Sequence, residues 1–271
     1  MKLDLRNRGL TTLQGIDFPN NLKSLDISEN QLTSLQYCPP NLQELNCSEN
    51  QLTSLQYCPP NLQKLYCSAN QLTSLQYCPS NLQELDCGYN QLTSLQYFPQ
   101  ILQCLNCDGN QLTSLQYCPE SLQDLDCNHN QLTSLQYCPC NLQKLWCNRN
   151  QLCSLQYCPN SLTILDCSYN QLTSLKYCPC NLRILYCHDN PLSPEYQNKN
   201  LEVIKFINYI KKFKHGIEIV NKHITNQKAT MIQRCWDNYW YKPNEQGISR
   251  HAIRGFENMK ERSYNITHDT K

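Results

Sequence analysis

The chain has 271 residues, 40% of them hydrophobic and 17% charged, which suffices for one or two domains. No apolar run approaches the roughly 18 residues that span a bilayer, and the opening MKLDLRNRGL carries charges where a signal peptide needs its apolar stretch, so an intracellular protein is expected. The net charge of +1 conceals an asymmetry: residues 1–192 carry 9 Lys and Arg against 14 Asp and Glu (−5), and residues 193–271 carry 14 against 8 (+6).

From the amino end, Leu3, Leu5, Leu10 and Leu13 have the spacing of core positions, but Arg8 stands where the following units have Asn. Residues 1–21 read as a degenerate capping unit, one of whose faces meets water. From Leu22 to Leu192 a twenty-residue unit, L-x-x-L-x-C-x-x-N-Q-L-T-S-L-Q-Y-C-P-x-N, recurs nine times. A fixed period of this length marks a solenoid. In the unit that begins at Leu42, Leu45 and Cys47 alternate with polar residues, as a short strand with one apolar side does. Asn50 follows, and its side-chain amide is suited to bonding backbone groups where the chain leaves the strand. The same Asn at 30, 70, 90, 110, 130, 150, 170 and 190 predicts a ladder. Leu52, Leu55 and Cys58 point inward on the return arc, and Pro59 turns the chain towards the next strand. The expected fold is an α/β-type repeat solenoid: parallel β-strands on the concave face, a mostly irregular convex side and a small α-helical tail. Residues 1–192 form the solenoid and 193–271 the basic tail.

Cysteine occurs twenty times. Eight residues, Cys47 to Cys187 at intervals of twenty, share a strand slot with Ile27. Seven more (Cys38, Cys58, Cys78, Cys118, Cys138, Cys158 and Cys178) share a turn slot with Phe98. A slot that accepts Ile or Phe is apolar, so these read as buried, reduced thiols in a reducing compartment. Cys104, Cys140, Cys153, Cys180 and Cys235 lie outside both rows. Four ligands do not converge in this pattern, and neither a metal nor another cofactor is expected. The tyrosines at 37, 57, 77, 97, 117, 137, 157 and 177 are expected to stack between neighbouring repeats.

With the framework nearly constant, the variable slots carry the information. One row reads Ser24, Glu44, Lys64, Glu84, Cys104, Asp124, Lys144, Ile164, Ile184. Another reads Asp26, Asn46, Tyr66, Asp86, Asn106, Asp126, Trp146, Asp166, Tyr186. Both project from the concave face. Its carboxyl half gathers adhesive side chains, and Trp146, Tyr186, Tyr169, Arg149, Lys144, Ile164, Ile184 and Tyr66 are the expected partner-binding residues. Packing of the tail over Ile164 and Ile184 is the alternative use of that patch.

Beyond Pro194, Asn200 is placed to cap a helix over LEVIKFINYIKKFK, with Leu201, Ile204, Ile207, Tyr209 and Ile210 apolar. A second helix is expected over about 225–241. Its ATMIQRCWDNYWYK resembles the IQ motif that binds calmodulin-like proteins: Ile232 and Gln233 match the opening and Lys242 a later basic position, while Asp237 and Asn238 depart from it. Calmodulin-type binding at the tail is what that resemblance implies.

The repeat itself is that of leucine-rich-repeat proteins. With LxxLQYCP where the family has L-x-x-L-P-x-L-P, it resembles the short-repeat arrays of secreted bacterial effectors of the Yersinia and Shigella type, and its Cys-rich wording resembles repeat proteins of giant DNA viruses of amoebae. That resemblance implies a protein-binding scaffold directed at a partner of a host cell. No phosphate loop, nucleophile elbow or metal-ligand spacing points to an enzyme. The alternative is an adaptor or small enzyme in which the tail acts, with Cys235 as its thiol, and the repeats select the target. Nucleic-acid binding by the tail is disfavoured, because its basic residues are spread among acidic ones.

Overall fold

The computed structural model describes residues 1–221, with side chains through residue 212. Ten three-residue strands follow one another: β1 (Lys2–Asp4), β2 (Ser24–Asp26), β3 (Glu44–Asn46), β4 (Lys64–Tyr66), β5 (Glu84–Asp86), β6 (Cys104–Asn106), β7 (Asp124–Asp126), β8 (Lys144–Trp146), β9 (Ile164–Asp166) and β10 (Ile184–Tyr186). A helix, α1 (Leu201–Asn221), comes last. The strands form one parallel sheet in chain order, each residue paired with its counterpart one repeat away. The chain divides into two units, Met1–Asn208 and Tyr209–Lys271.

Inside the coil, the leucines of each repeat are sealed from water. Leu42, Leu45, Leu52 and Leu55 are at most 1% exposed, and their equivalents repeat this along the array. Each such side chain contributes about 1.5–3 kcal/mol through removal from water. Cys47 and its successors to Cys167 are also fully buried beside them. Five of these thiols, from Cys87 to Cys167, donate to the carbonyl of the neighbouring strand at 3.2–3.4 Å. That carbonyl already accepts the same cysteine's N–H, as in Cys87 N to Asn106 O at 2.8 Å. Cysteine therefore fills the slot that Ile27 fills by packing, and adds a weak second donor to an oxygen with two lone pairs. All nineteen described cysteines are free. Burial pushes Cys38 and Cys78 up to about 12 and raises the strand-row thiols as well, which holds them as neutral S–H.

The asparagine row ties the coils together. Asn110 is 7% exposed, and its Oδ1 accepts the N–H of Leu92 at 2.9 Å. Its Nδ2 lies 3.0–3.2 Å from the carbonyls of Cys87, Cys107 and Asp108. The amide thus bonds backbone of its own repeat and of the one before it. This pattern runs from Asn30 to Asn190. The residue ahead of each Asn takes a left-handed backbone, with φ of 46° to 63° from Glu29 through Gly109 to Asp189. At Gly109 a side chain would be strained twice over, since a Cβ would lie 2.8 Å from the Tyr89 ring.

The tyrosine row departs from expectation. These side chains are 45–56% exposed. The reason is local. Leu35 O accepts the N–H of Cys38 at 3.0 Å, closing a tight turn whose third residue is Tyr37, with φ of 69°. The same turn bond recurs at Cys58, Cys78, Cys118, Cys138, Cys158 and Cys178, and the turn carries its third residue on the outside, so the rings stand out in water rather than between coils.

Both ends of the array are closed. At the amino end Arg8 N and Leu10 N donate to Asn30 Oδ1 at 3.0 and 2.9 Å, so the degenerate unit joins the ladder through its backbone alone. At the other end Asn200 Oδ1 accepts Val203 N at 3.0 Å, the N-cap read from sequence. Leu201, Ile204 and Ile207 pack on the core, and Asn208 Nδ2 donates to Leu175 O at 2.7 Å. The helix runs seven residues past Lys214, the end expected from sequence. Among the described residues no helix is long and apolar enough to cross a membrane. The expected second helix, its IQ-like segment and Cys235 lie outside the described residues.

Two outcomes follow from this packing. Asn110→Ala removes four bonds, three of them buried, and should lower stability by about 3 kcal/mol in denaturant unfolding, whereas Asn190→Ala, at the half-exposed last rung, should cost about 1 kcal/mol. Among the described thiols, Ellman's reagent should modify Cys104, Cys140, Cys153 and Cys180 in the native protein and the ladder thiols only after denaturation. Rapid native labelling of Cys47 or Cys127 would contradict the packing.

Candidate functional site

A three-residue strand buries its middle leucine and turns the residues on either side outward, which leaves two side-chain rows on the open face of the sheet. Exact register keeps the rows straight: Tyr66 pairs with Asp86, Asp86 with Asn106, Asn106 with Asp126, and Asp126 with Trp146. The short members of this inner row have a structural task. Oδ1 of Asp26, Asn46, Asp86, Asn106, Asp126 and Asp166 accepts the N–H two residues on, at 2.9–3.1 Å. Asp and Asn serve equally in that turn.

The row is uneven in size, and this shapes the surface. Tyr66 and Trp146 are four strands apart, and the three side chains between them are short. Together with Glu84, Cys104 and Asp124 of the neighbouring row they form an open notch of about 270 Å³. Two larger furrows, of about 500 and 610 Å³, run along the side of the sheet where the strands begin, among Asn, Gln, Ser and Thr; their charged side chains are Lys23 and Glu120. The notch is the feature in which charge and aromatic surface meet.

Its cations are already engaged. Lys64 Nζ lies 2.6 Å from Glu84 Oε2, and Lys144 Nζ 2.9 Å from Asp124 Oδ2 and 5.8 Å from the centre of the Trp146 ring. The Tyr66 hydroxyl donates to Glu84 Oε1 at 2.8 Å. Bonds from Lys64 and Tyr66 hold the Glu84 carboxyl below its ordinary range against the opposing effect of burial. Asp86 and Asp126 form no ion pair among the described residues. Burial raises the Asp86 carboxyl above its usual 3.8, with Asp108 and Glu84 adding to the effect. Burial also lifts Asp126 to about 6, reinforced by Asp108, Asp124 and Asp86 and opposed by the Asn128 N–H.

The expected binding residues fall into three groups on this surface. Trp146 and Lys144 lie on one wall of the notch and Tyr66 on the other. On the turns that follow the strands, the Arg149 guanidinium stands 4.6 Å from the centre of the Tyr169 ring, whose neighbour His188 meets it edge-on at 5.1 Å. On the last two strands Ile164 is half-buried, while Ile184 and Tyr186 are exposed at 41% and 50%. The described part of the tail packs on the last repeat's leucines rather than over Ile184. The notch itself went unforeseen. Its signal was a run of short polar residues, Asp86, Asn106 and Asp126, bracketed by two aromatics in one row.

Comparison with known proteins agrees with this geometry. A family model described as Leucine Rich repeats (2 copies) matches residues 40–77 and 60–100, and one described as Leucine Rich Repeat matches 21–39. The fold is similar to that of YopM from Yersinia enterocolitica WA-314, at 35% identity and a TM-score of 0.57 over 64% of this chain and 43% of that one. It is similar to YopM of Yersinia pestis, described as a leucine-rich effector protein, at 29% and 0.50 over 70% and 66%. It also resembles the functional domain of InlJ from Listeria monocytogenes, said to include a cysteine ladder, at 30% and 0.62 over 75% and 46%. The chain thus spans less than two thirds of each of these relatives. A search of curated protein sequences found no match.

The raised Asp126 carboxyl has a measurable consequence. The folded state holds that proton more tightly than the unfolded chain does, so stability rises as pH falls from about 6 towards 4. Above pH 6 the charged form carries a cost. Asp126→Asn keeps the oxygen that accepts the Asn128 N–H and should raise Tm at pH 7 by about 2–4 °C, the shift given by roughly 1 kcal/mol in an array of this size. Calorimetry at pH 4 should find that difference gone.

Proposed function

This chain is a leucine-rich-repeat solenoid, and on that premise we propose that it is a protein-interaction scaffold whose concave face docks a protein partner. The observation that carries this reading is the collection of large side chains on one open sheet face: Trp146, Ile184 and Tyr186 in the two rows, with Tyr169 and Arg149 on the adjoining turns. Aromatic and arginine side chains give the most binding energy per residue when a partner excludes water from them. They also lose little freedom on binding here, because Arg149 is stacked on Tyr169 and Lys144 is held by Asp124.

The reading assigns the face to binding rather than chemistry. Its one thiol, Cys104, is raised by burial and by Asp124 and Glu84, which disfavours the thiolate a nucleophile needs. Its carboxylates serve the turns that follow the strands, as Asp86 and Asp126 do, or pair with lysines, as Glu84 and Asp124 do. The likeness to an effector array supports a host-cell protein as the partner.

Capture of partners from host-cell lysate tests the proposal. The intact chain should retain a specific protein that Trp146→Ala/Tyr186→Ala loses, with a drop in affinity of about a hundredfold for two interface anchors. Equal capture by both chains would remove the concave face from consideration.

A further inference from the structure

We infer that the notch between Tyr66 and Trp146 receives an arginine side chain from a basic segment of the protein partner. The inference rests on the docking role proposed for the concave face and specifies what docks there. Three observations converge on it: the form of the notch, the state of its carboxylates and the charge of the array.

The form suits a flat cation. Tyr66 and Trp146 stand at the two ends of one straight row, with about 270 Å³ of open space and only short side chains between them. With strands about 4.8 Å apart, four spacings leave room for a guanidinium and its alkyl stem along an aromatic wall. A guanidinium stacks on an aromatic face and presents a planar fork of donors, whereas an ammonium is a compact point charge.

Two carboxylates of the notch floor have no cation beside them among the described residues. Asp26 has Arg6 at 3.8 Å, and Asp166 Oδ2 accepts from Asn148 Nδ2 at 3.0 Å. Glu84 and Asp124 hold Lys64 and Lys144. Asp86 and Asp126, on alternate strands of the notch floor, are half-buried and have no cation among the described residues. Each uses Oδ1 on its own turn; Asp86 also bonds the Asn106 side chain, whereas Asp126 has no side-chain hydrogen bond among the described residues. Residues 1–192 carry −5 overall, which favours approach of a basic segment over an acidic one.

The test uses the full-length protein and two capped peptides, acetyl-Arg-Arg-Arg-amide and its citrulline counterpart, which has nearly the same shape without the charge. The readout is the indole N–H resonance of Trp146, resolved from those of the two other tryptophans, Trp236 and Trp240. The arginine peptide should shift that resonance in a saturable way, and the citrulline peptide should bind at least tenfold more weakly. Asp86→Asn/Asp126→Asn should weaken the arginine peptide about tenfold or more. This variant keeps the fold, because Asn46 and Asn106 already occupy the same slot and make the same turn bond. Equal shifts by both peptides, or a shift that survives the double substitution, would overturn the inference. So would a Trp146 resonance that no peptide moves, including the case in which another part of this chain fills the notch. Capture from lysate separates this failure from that of the docking face. A partner lost with Trp146→Ala/Tyr186→Ala but kept with Asp86→Asn/Asp126→Asn leaves the face standing and overturns the basic segment. One kept with both overturns the face itself.

Discussion

Every other feature of this solenoid depends on the buried asparagine. A coil whose strand is three residues long leaves most of its backbone without regular pairing, yet that backbone runs beside a core from which water is excluded. Unpaired N–H and C=O groups there would each cost about 1–3 kcal/mol. One primary amide per repeat offers two donors and an acceptor, and Asn110 uses them on four backbone groups from two successive coils. The amide must sit at one depth and one orientation to do this, so each repeat takes the length that returns the next asparagine to the same place.

That constraint reaches the surface through the residue ahead of the asparagine. Its left-handed backbone brings the amide inward and its own side chain outward, at the turn beside the concave face. Glycine alone would adopt this conformation without cost, but the array uses it at one rung, Gly109, where the Tyr89 ring leaves no room for a Cβ. At the other rungs the chain accepts the strain of about 1–2 kcal/mol for a side chain in this region. Arg149 and Tyr169 are two such side chains, and their stacking at 4.6 Å ties the strained turns of adjacent repeats together. The framework and the candidate binding surface are therefore joined in two consecutive residues.

The parts of this architecture that sequence revealed are those in which burial repeats. The leucine, cysteine and asparagine rows have a period of twenty and alternate with polar residues, so their inward direction followed from pattern alone. The Asn200 cap was legible because it precedes an apolar stretch at helical spacing. The tyrosine row differs from expectation because its direction is set by a tight turn, and periodicity does not distinguish a ring that points in from one that points out. The notch was hidden for another reason. Trp146 and Tyr66 are each legible as adhesive side chains, but eighty residues separate them in sequence. They become the two walls of one space only when exact register lays Asp86, Asn106 and Asp126 between them.

Near-identity of the repeats leaves few places where selectivity can be written. A row of uniform side chains would offer a partner the same contact at each strand and allow it to slide by one repeat. The large residues at 66, 146 and 186 break that translational symmetry, and the spacings between them differ: four strands, then two. A partner segment that fills the longer interval cannot fill the shorter one. The carboxylates at 86 and 126 sharpen the distinction, because burial charges a free-energy cost for their ionised form that a cation placed between the two aromatic walls relieves. A cation one repeat out of place would meet Tyr66 or Trp146 in place of one of those carboxylates. On the docking face proposed above, the same uneven row that opens the notch would thus fix a partner's register, in a fold whose backbone is otherwise the same at every turn.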